Sequence, residues 1–251
     1  MAYWLTKAAL WPIFHLLFRI RVEGAENVPK TGPAVLASNH VAFCDSIFLP
    51  LALRRRLTYV AKAEYFEDWK TAWYFRAIGQ IPIKRGPGAD WRRSLDAAVE
   101  VLEGGQLFGI YPEGTRSKDG RLHRGHTGVA RVALATGAPV IPVGLVGTRE
   151  VQPVGSKMVR PFRRVTIRIG HPLDFSKYRP RASERLVQRY ITDTVMCAIQ
   201  HMTGQEYAGF YAPIGGAEFT GQPRELDPET PCDLPATVVE EAAATEATDP
   251  A

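Results

Sequence analysis

Pro33-Ala34-Val35-Leu36-Ala37-Ser38 runs directly into Asn39-His40-Val41-Ala42-Phe43-Cys44-Asp45. The first six residues form a short apolar run without polar alternation, which suits a strand buried in a sheet. The chain then turns, and residues 45–53 are apolar and helix-like, with Pro50 making the interior irregular. This strand, turn and helix unit recurs along the sequence. Residues 57–62, 80–84, 106–111, 139–146 and 165–169 read as further strands. Residues 64–77, 90–103, 128–136 and 182–202 read as helices. Helix 90–103 places Trp91, Leu95, Ala98, Val99 and Leu102 on one face, with Asp90 as a candidate cap and Gly104-Gly105 as its stop. Gly137 closes helix 128–136, and Ser183 is a candidate cap for the last helix. Strands alternating with helices predict a single α/β domain with a mostly parallel central sheet flanked by helices. Ligands on such sheets sit beyond the carboxyl ends of the strands. The loops to inspect are therefore 39–44, 63 onward, 85–89 and 112–125.

The chain has 251 residues, 45% of them hydrophobic, enough for one domain with a sizeable core. Cys44, Cys197 and Cys232 form no C-x-x-C pair, which excludes a disulfide scaffold and implies a reducing compartment. The net charge of +5 is unevenly spread: residues 213–251 hold nine acidic side chains and one arginine, so the preceding 212 residues carry +13. A basic body suits nucleic acid, an anionic membrane surface or a phosphorylated substrate. Nucleic acid has little support, because the basic run 160–168 contains only Phe162 as an aromatic platform. The acidic tail, 213–251, lacks apolar periodicity and reads as disordered. At the other end, the apolar stretch 8–18 contains Pro12 and His15 and is flanked by Lys7, Arg19 and Arg21. It is well short of the roughly 20 residues a membrane span needs, and no small-residue cleavage site follows it. Trp4, Trp11, Phe14 and Phe18 fit a helix lying in a membrane interface; packing against the core is the competing reading. The expected organisation is a membrane-interface helix at 1–22, the α/β domain at 23–212 and the tail at 213–251.

Three segments at predicted strand ends could carry chemistry. In the first, Asp45 can swing back across the turn to hold the imidazole of His40, which would then take up a proton near neutral pH. Alternatively Asp45 caps the helix and His40 is a loop residue. In the second, Tyr111-Pro112-Glu113-Gly114-Thr115-Arg116-Ser117 offers a glycine for close approach, hydroxyls, and an arginine fork suited to phosphate. Glu113 would orient that arginine or bind a hydroxyl; a plain polar turn is the alternative. In the third, Lys84 and Arg85 point to opposite faces of a strand end, and Lys62 ends another strand. Cations converging at strand ends imply an anionic ligand, most simply a phosphate. There is no G-x-S-x-G elbow, Walker loop or G-x-G-x-x-G. Cys44 sits in an apolar run and reads as a small core residue rather than a nucleophile. His123 and His126, interleaved with Arg121 and Arg124, read as a solvated or ligand-flanking loop, and no metal site is expected.

Together these segments resemble the glycerolipid acyltransferase family, typified by 1-acylglycerol-3-phosphate acyltransferases. Asn39, His40 and Asp45 match N-H-x-x-x-x-D. Ile81-Pro82-Ile83-Lys84-Arg85 resembles the second family block, Glu113 to Ser117 the E-G-T-R-S block, and Val140-Ile141-Pro142-Val143 the fourth. Ala61-Lys62-Ala63-Glu64 is similar to the family's A-K-x-E segment. The resemblance implies the glycerolipid acyltransferase fold and transfer of an acyl chain from acyl-CoA or acyl carrier protein to the free hydroxyl of 1-acylglycerol 3-phosphate, giving phosphatidate; the alternatives are a different acceptor, such as glycerol 3-phosphate or another lysolipid, and a non-catalytic lipid-binding protein. It implies His40 as general base and Asp45 as its orienter. Lys62, Arg85, Glu113, Gly114, Thr115 and Arg116 would lie at the acceptor phosphate. It implies no covalent acyl-enzyme, and no cofactor beyond the acyl-donor co-substrate. The expected location is the cytoplasmic face of a bacterial membrane, held peripherally on its anionic surface.

Overall fold

The run at 34–38 forms a strand whose five residues are all buried, and the other layers are arranged around it. The computed structural model describes residues 1–83, 91–156 and 158–213, apart from the side chains of Lys62, Lys70, Thr71, Ile83 and Trp91. In chain order the elements are α1 (Ala2–Leu17), β1 (Arg19–Glu23), β2 (Ala34–Ser38), α2 (Asp45–Ala52), β3 (Leu57–Lys62), α3 (Glu64–Glu67), α4 (Trp69–Ala77) and β4 (Ile81–Ile83). They continue with α5 (Trp91–Glu103), β5 (Leu107–Ile110), α6 (Gly128–Thr136), β6 (Val140–Val146), α7 (Thr148–Val151), β7 (Arg164–Ile169) and α8 (Arg185–Thr203).

The strands form one sheet in the order β1-β7-β6-β2-β5-β3-β4. The five strands from β6 to β4 run parallel. β7 turns antiparallel to β6, and β1 pairs parallel with β7. Each face of the sheet carries its own core. Val35, Ala37 and Phe108 join Leu102 of α5, Val129 and Ala133 of α6, and Ile191 and Val195 of α8 in one layer. Ala34 and Leu36 point the other way, into a layer with Ile141, Ile167, and Phe48 and Leu49 of α2. This is the period-two alternation of a strand covered on both sides, which is why β2 shows no polar alternation. Each fully buried Leu or Phe contributes on the order of 1.5–3 kcal/mol. At Gly109 a Cβ would fall 2.3 Å from Cε1 of Tyr59, so only glycine lets that ring lie across β5.

Helix α1 packs by one side only. Phe14 and Leu17 lean on the second core, and the Phe14, Phe18 and Phe48 rings meet at 5.1–5.4 Å. Lys7 donates to the carbonyls of Pro50 and Leu53 at the end of α2, where cations complement the helix dipole. Trp4, Leu5, Trp11, Ile13 and Leu16 stay exposed. The core-packing reading therefore holds for one face of the helix, and the other face leaves its apolar side chains exposed. Among the described residues no helix is long and apolar enough to cross a membrane.

Three boundaries differ clearly from expectation. Residues 19–22 are not part of the N-terminal helix. Arg19, Arg21 and Glu23 alternate with Ile20 and Val22, and this period-two pattern makes β1. The helix expected at 64–77 breaks at Asp68, which is extended and whose carbonyl accepts from Ala72 N–H, as a residue flanking a helix start does. The last helix begins at Arg185 rather than 182, and Glu184, not Ser183, occupies the cap position. There Arg181 holds the Glu184 carboxylate through two bonds of 2.7 Å. Lys84, Arg85, Asp90 and the acidic tail beyond residue 213 lie outside the described residues.

Candidate active site

β2, β5 and β3 are neighbours and parallel, so their carboxyl ends lie along one edge of the sheet. Ser38 ends β2, and the backbone leaves the sheet at Asn39. Asn39 is buried and bonds like an added strand residue: its side chain accepts from Leu145 N–H at 2.8 Å and donates to Leu145 carbonyl at 2.9 Å. That anchor fixes the start of the loop carrying His40.

The loop folds around one carboxylate oxygen. Asp45 Oδ2 accepts from Val41 and Ala42 N–H at 2.8 Å and lies 2.9 Å from His40 Nδ1. Asp45 is fully buried and the His40 side chain is 12% exposed. Two fixed amides position the carboxylate, and the carboxylate then fixes the ring. With Asp45 ionised, Nδ1 carries the proton and Nε2 is left as the basic nitrogen. The Tyr111 ring stacks on the imidazole at 3.9 Å and 11°. Tyr111 is held in turn by its hydroxyl, 2.9 Å from Ser46 Oγ, and by Tyr59, which stacks behind it at 5.4 Å.

Glu113 is placed differently from its expected role beside a phosphate. It is fully buried. Its Oε1 accepts from His40 N–H at 3.0 Å and its Oε2 from His123 N–H at 2.9 Å. Burial pushes its carboxyl up to about 8 despite these two donors. Glu113 thus ties the His40 loop to the segment at 123. Ser117 is likewise internal: its N–H donates to His40 carbonyl at 2.7 Å, and its hydroxyl bonds Asp119. His123 is buried rather than solvated, with Nε2 3.0 Å from Asp119. Burial alone would raise Asp119, but hydrogen bonds from Arg121, Ser117 and His123 outweigh it and hold the carboxyl well below its ordinary range.

A cleft of about 520 Å³ lies beside this pair of loops. Its walls are Val41 to Phe43, Thr115 to Lys118, and Gln152 to Ser156. Arg116 is exposed, and Gly114, at φ +73°, makes the turn that presents Thr115 and Arg116. Hydrogen bonds from His40 N–H to Glu113 and from Ser117 N–H to the His40 carbonyl hold the His40 loop against the 113–117 loop, and Thr115 and Arg116 line the cleft together with Val41 and Ala42. Lys62 ends β3 on the same edge, but its side chain, like Arg85, lies outside the description. Gln152 and Tyr111 are additions. Gln152 accepts from Cys44 N–H at 3.0 Å and makes one wall of the cleft. Cys44 is buried, and burial first, with Asp45 beside it, pushes the thiol up to about 12, so it is no nucleophile at neutral pH.

A family model described as acyltransferase matches residues 19–146, a span that includes the loop residues described above from Asn39 to His123. The chain belongs to the acyltransferase family. It is 35% identical over 173 residues to the chloroplastic 1-acyl-sn-glycerol-3-phosphate acyltransferase LPAT1 of Arabidopsis thaliana, covering 68% of this chain and 48% of that protein. It is 30% identical over 168 residues to the 1-acyl-sn-glycerol-3-phosphate acyltransferase of Bacillus subtilis, covering 66% and 79%. The chain thus spans about half the length of the plant relative and most of the bacterial one. The crystal structure of the 1-acyl-sn-glycerophosphate (LPA) acyltransferase PlsC from Thermotoga maritima is similar at a TM-score of 0.58 and 30% identity, covering 73% of this chain and 71% of that one. The fold expected from the motifs, a mostly parallel α/β sheet of this family, is the fold observed.

Proposed function

We propose that the chain acylates the free hydroxyl of 1-acylglycerol 3-phosphate, using acyl-CoA or acyl carrier protein as donor and giving phosphatidate for phospholipid synthesis. The observation that carries this reading is the His40–Asp45 pair beside a cleft edged by Arg116. Nε2 of His40 takes the proton from the acceptor hydroxyl as its oxygen attacks the thioester carbonyl. The tetrahedral oxyanion collapses, the carbon–sulfur bond breaks, and the imidazolium returns the proton to the departing thiolate. The products are an ester and a free thiol, with no covalent acyl-enzyme. A positioned base of this kind contributes about 10²–10⁴-fold. Asp45 stabilises the imidazolium, and the stacked Tyr111 ring holds its plane. Arg116, with Lys62 and Arg85, binds the acceptor phosphate. Several block amides are already engaged internally, including those of Val41, Ala42, Cys44, Gly114 and Ser117. The oxyanion donors therefore come from other groups along the cleft.

The same reading places the protein peripherally on the cytoplasmic face of a membrane. The exposed Trp4, Leu5, Trp11, Ile13 and Leu16 of α1 enter the interface, and the basic body meets anionic headgroups. Product analysis tests the chemistry. Radiolabelled oleoyl-CoA and lysophosphatidate in vesicles should give phosphatidate. Release of free oleate that ignores the acceptor would instead make the chain a thioesterase.

A further inference from the structure

Residues 153–164 contain Val154, Met158, Val159 and Phe162 together with Lys157, Arg160, Arg163 and Arg164, and no acidic residue. The four apolar side chains are all exposed, Met158 at 79% and Phe162 at 68%. Arg160, Arg163 and Arg164 are exposed as well. Phe162 is also the one non-glycine residue with positive φ, at +63°, among the described residues. A bulky side chain in the left-handed region is strained. The ring is 68% exposed, so burial does little to offset that strain.

The segment joins two features already described. Phe162 N–H donates to Leu17 carbonyl at 2.6 Å, and Arg163 carbonyl accepts from Arg19 N–H at 3.0 Å, so the segment abuts the last turn of α1, where Leu16 is exposed. At its other end residues 153–156 form a wall of the cleft. Apolar side chains with interspersed arginines match the two layers of an anionic leaflet, acyl chains below and phosphates above.

We propose that residues 153–162 are a second membrane-contacting element, which inserts beside α1 into an anionic leaflet and sets the mouth of the cleft against the bilayer. A lipid acceptor then reaches the cleft without its acyl chain crossing water. This inference rests on the membrane reading given under Proposed function. It assigns to a loop outside the catalytic blocks the task of delivering substrate, and it explains why phenylalanine stands where glycine or asparagine would be relaxed.

The test is co-sedimentation of the full chain with vesicles of phosphatidylcholine plus phosphatidylglycerol, and with phosphatidylcholine alone. The variants are Phe162→Gly, Met158→Ser and, on α1, Trp4→Ala with Trp11→Ala. Phe162→Gly relieves the left-handed strain, so its melting temperature should equal or exceed that of wild type. Its partitioning onto anionic vesicles should nevertheless fall about tenfold, equivalent to about 1.4 kcal/mol. Met158→Ser should weaken binding in the same direction. Wild-type binding that only the α1 variant weakens would overturn the role of this loop and leave the membrane reading standing. No wild-type binding to either vesicle would overturn both. Unchanged partitioning of Phe162→Gly, with loss of a dimer in sedimentation velocity, would assign the patch to a second copy of the chain and overturn the proposal.

Discussion

Glu113→Gln separates an internal tie from a substrate contact. The wild-type carboxyl, ionised or protonated, accepts both His40 N–H and His123 N–H through different oxygens. A glutamine has one acceptor oxygen, and its amide nitrogen can only donate. One buried backbone N–H therefore loses its partner, at a cost of about 1–3 kcal/mol. For a domain of this size that lowers the melting temperature by roughly 2–4 °C per kcal/mol. The larger consequence is positional. His40 N–H belongs to the residue whose ring is held by Asp45, so a loop shift moves Nε2, and a misplacement of about 1 Å costs up to about 10²-fold. The expected result is a fall in kcat with the KM for lysophosphatidate nearly unchanged. Calorimetry adds a second signature. Glu113 titrates near 8 when folded and at its ordinary 4.5 when unfolded, so the native state holds the extra proton between them. Stability contributed by this group is full below about 4.5 and is lost as pH rises through 8. The glutamine variant should lack that slope. A raised KM with kcat intact would refute the reasoning and return Glu113 to the acceptor.

Asp45→Asn should keep the loop, because an amide oxygen still accepts from Val41 and Ala42 N–H. It should nevertheless cost about 10²–10⁴-fold in rate, since the imidazolium loses its partner; acyl-transfer kinetics beside a thermal melt check this. Tyr111→Phe retains the ring stacked on His40 and should lose little, whereas Tyr111→Leu should lower kcat and alter the acid limb of the pH–rate profile. Cys44 should resist iodoacetamide at pH 7 in the folded protein, and Cys44→Ala should remain active. Because its thiol is raised from 9.0 to about 12, the stability it contributes is lost as pH rises through that window, which an alkaline melt series would show.

What the sequence made legible follows from how local the determinants are. β2 is apolar without a break, and that pattern alone implies a strand covered on both faces. The His40–Asp45 pair lies within five residues on one turn, so spacing and chemistry point to it together. The internal bonding of Glu113 has no local signal, because it depends on His40, 73 residues earlier, and on His123, ten residues later. No local pattern signals that a glutamate will have both oxygens occupied by amides. Gln152 as a cleft wall has no local signal either, since its partner Cys44 is 108 residues away. The arginines around His123 suggest a solvated side chain, yet its partners Glu113 and Asp119 hold it inside. Tyr111 did carry a signal: an aromatic ending a strand beside the β2 loop. Helix ends failed where short polar residues such as Asp68 and Ser183 compete for cap positions, a contest settled by backbone geometry rather than composition.

The central claim is that His40, oriented by Asp45, removes the proton from an acceptor hydroxyl. Acyl transfer from oleoyl-CoA to lysophosphatidate in vesicles, with wild type and His40→Ala compared at matched folding by circular dichroism, tests it most directly. Phosphatidate from wild type and a fall of about 10²–10⁴-fold in the folded variant is the expected result. Full activity in folded His40→Ala would contradict the account.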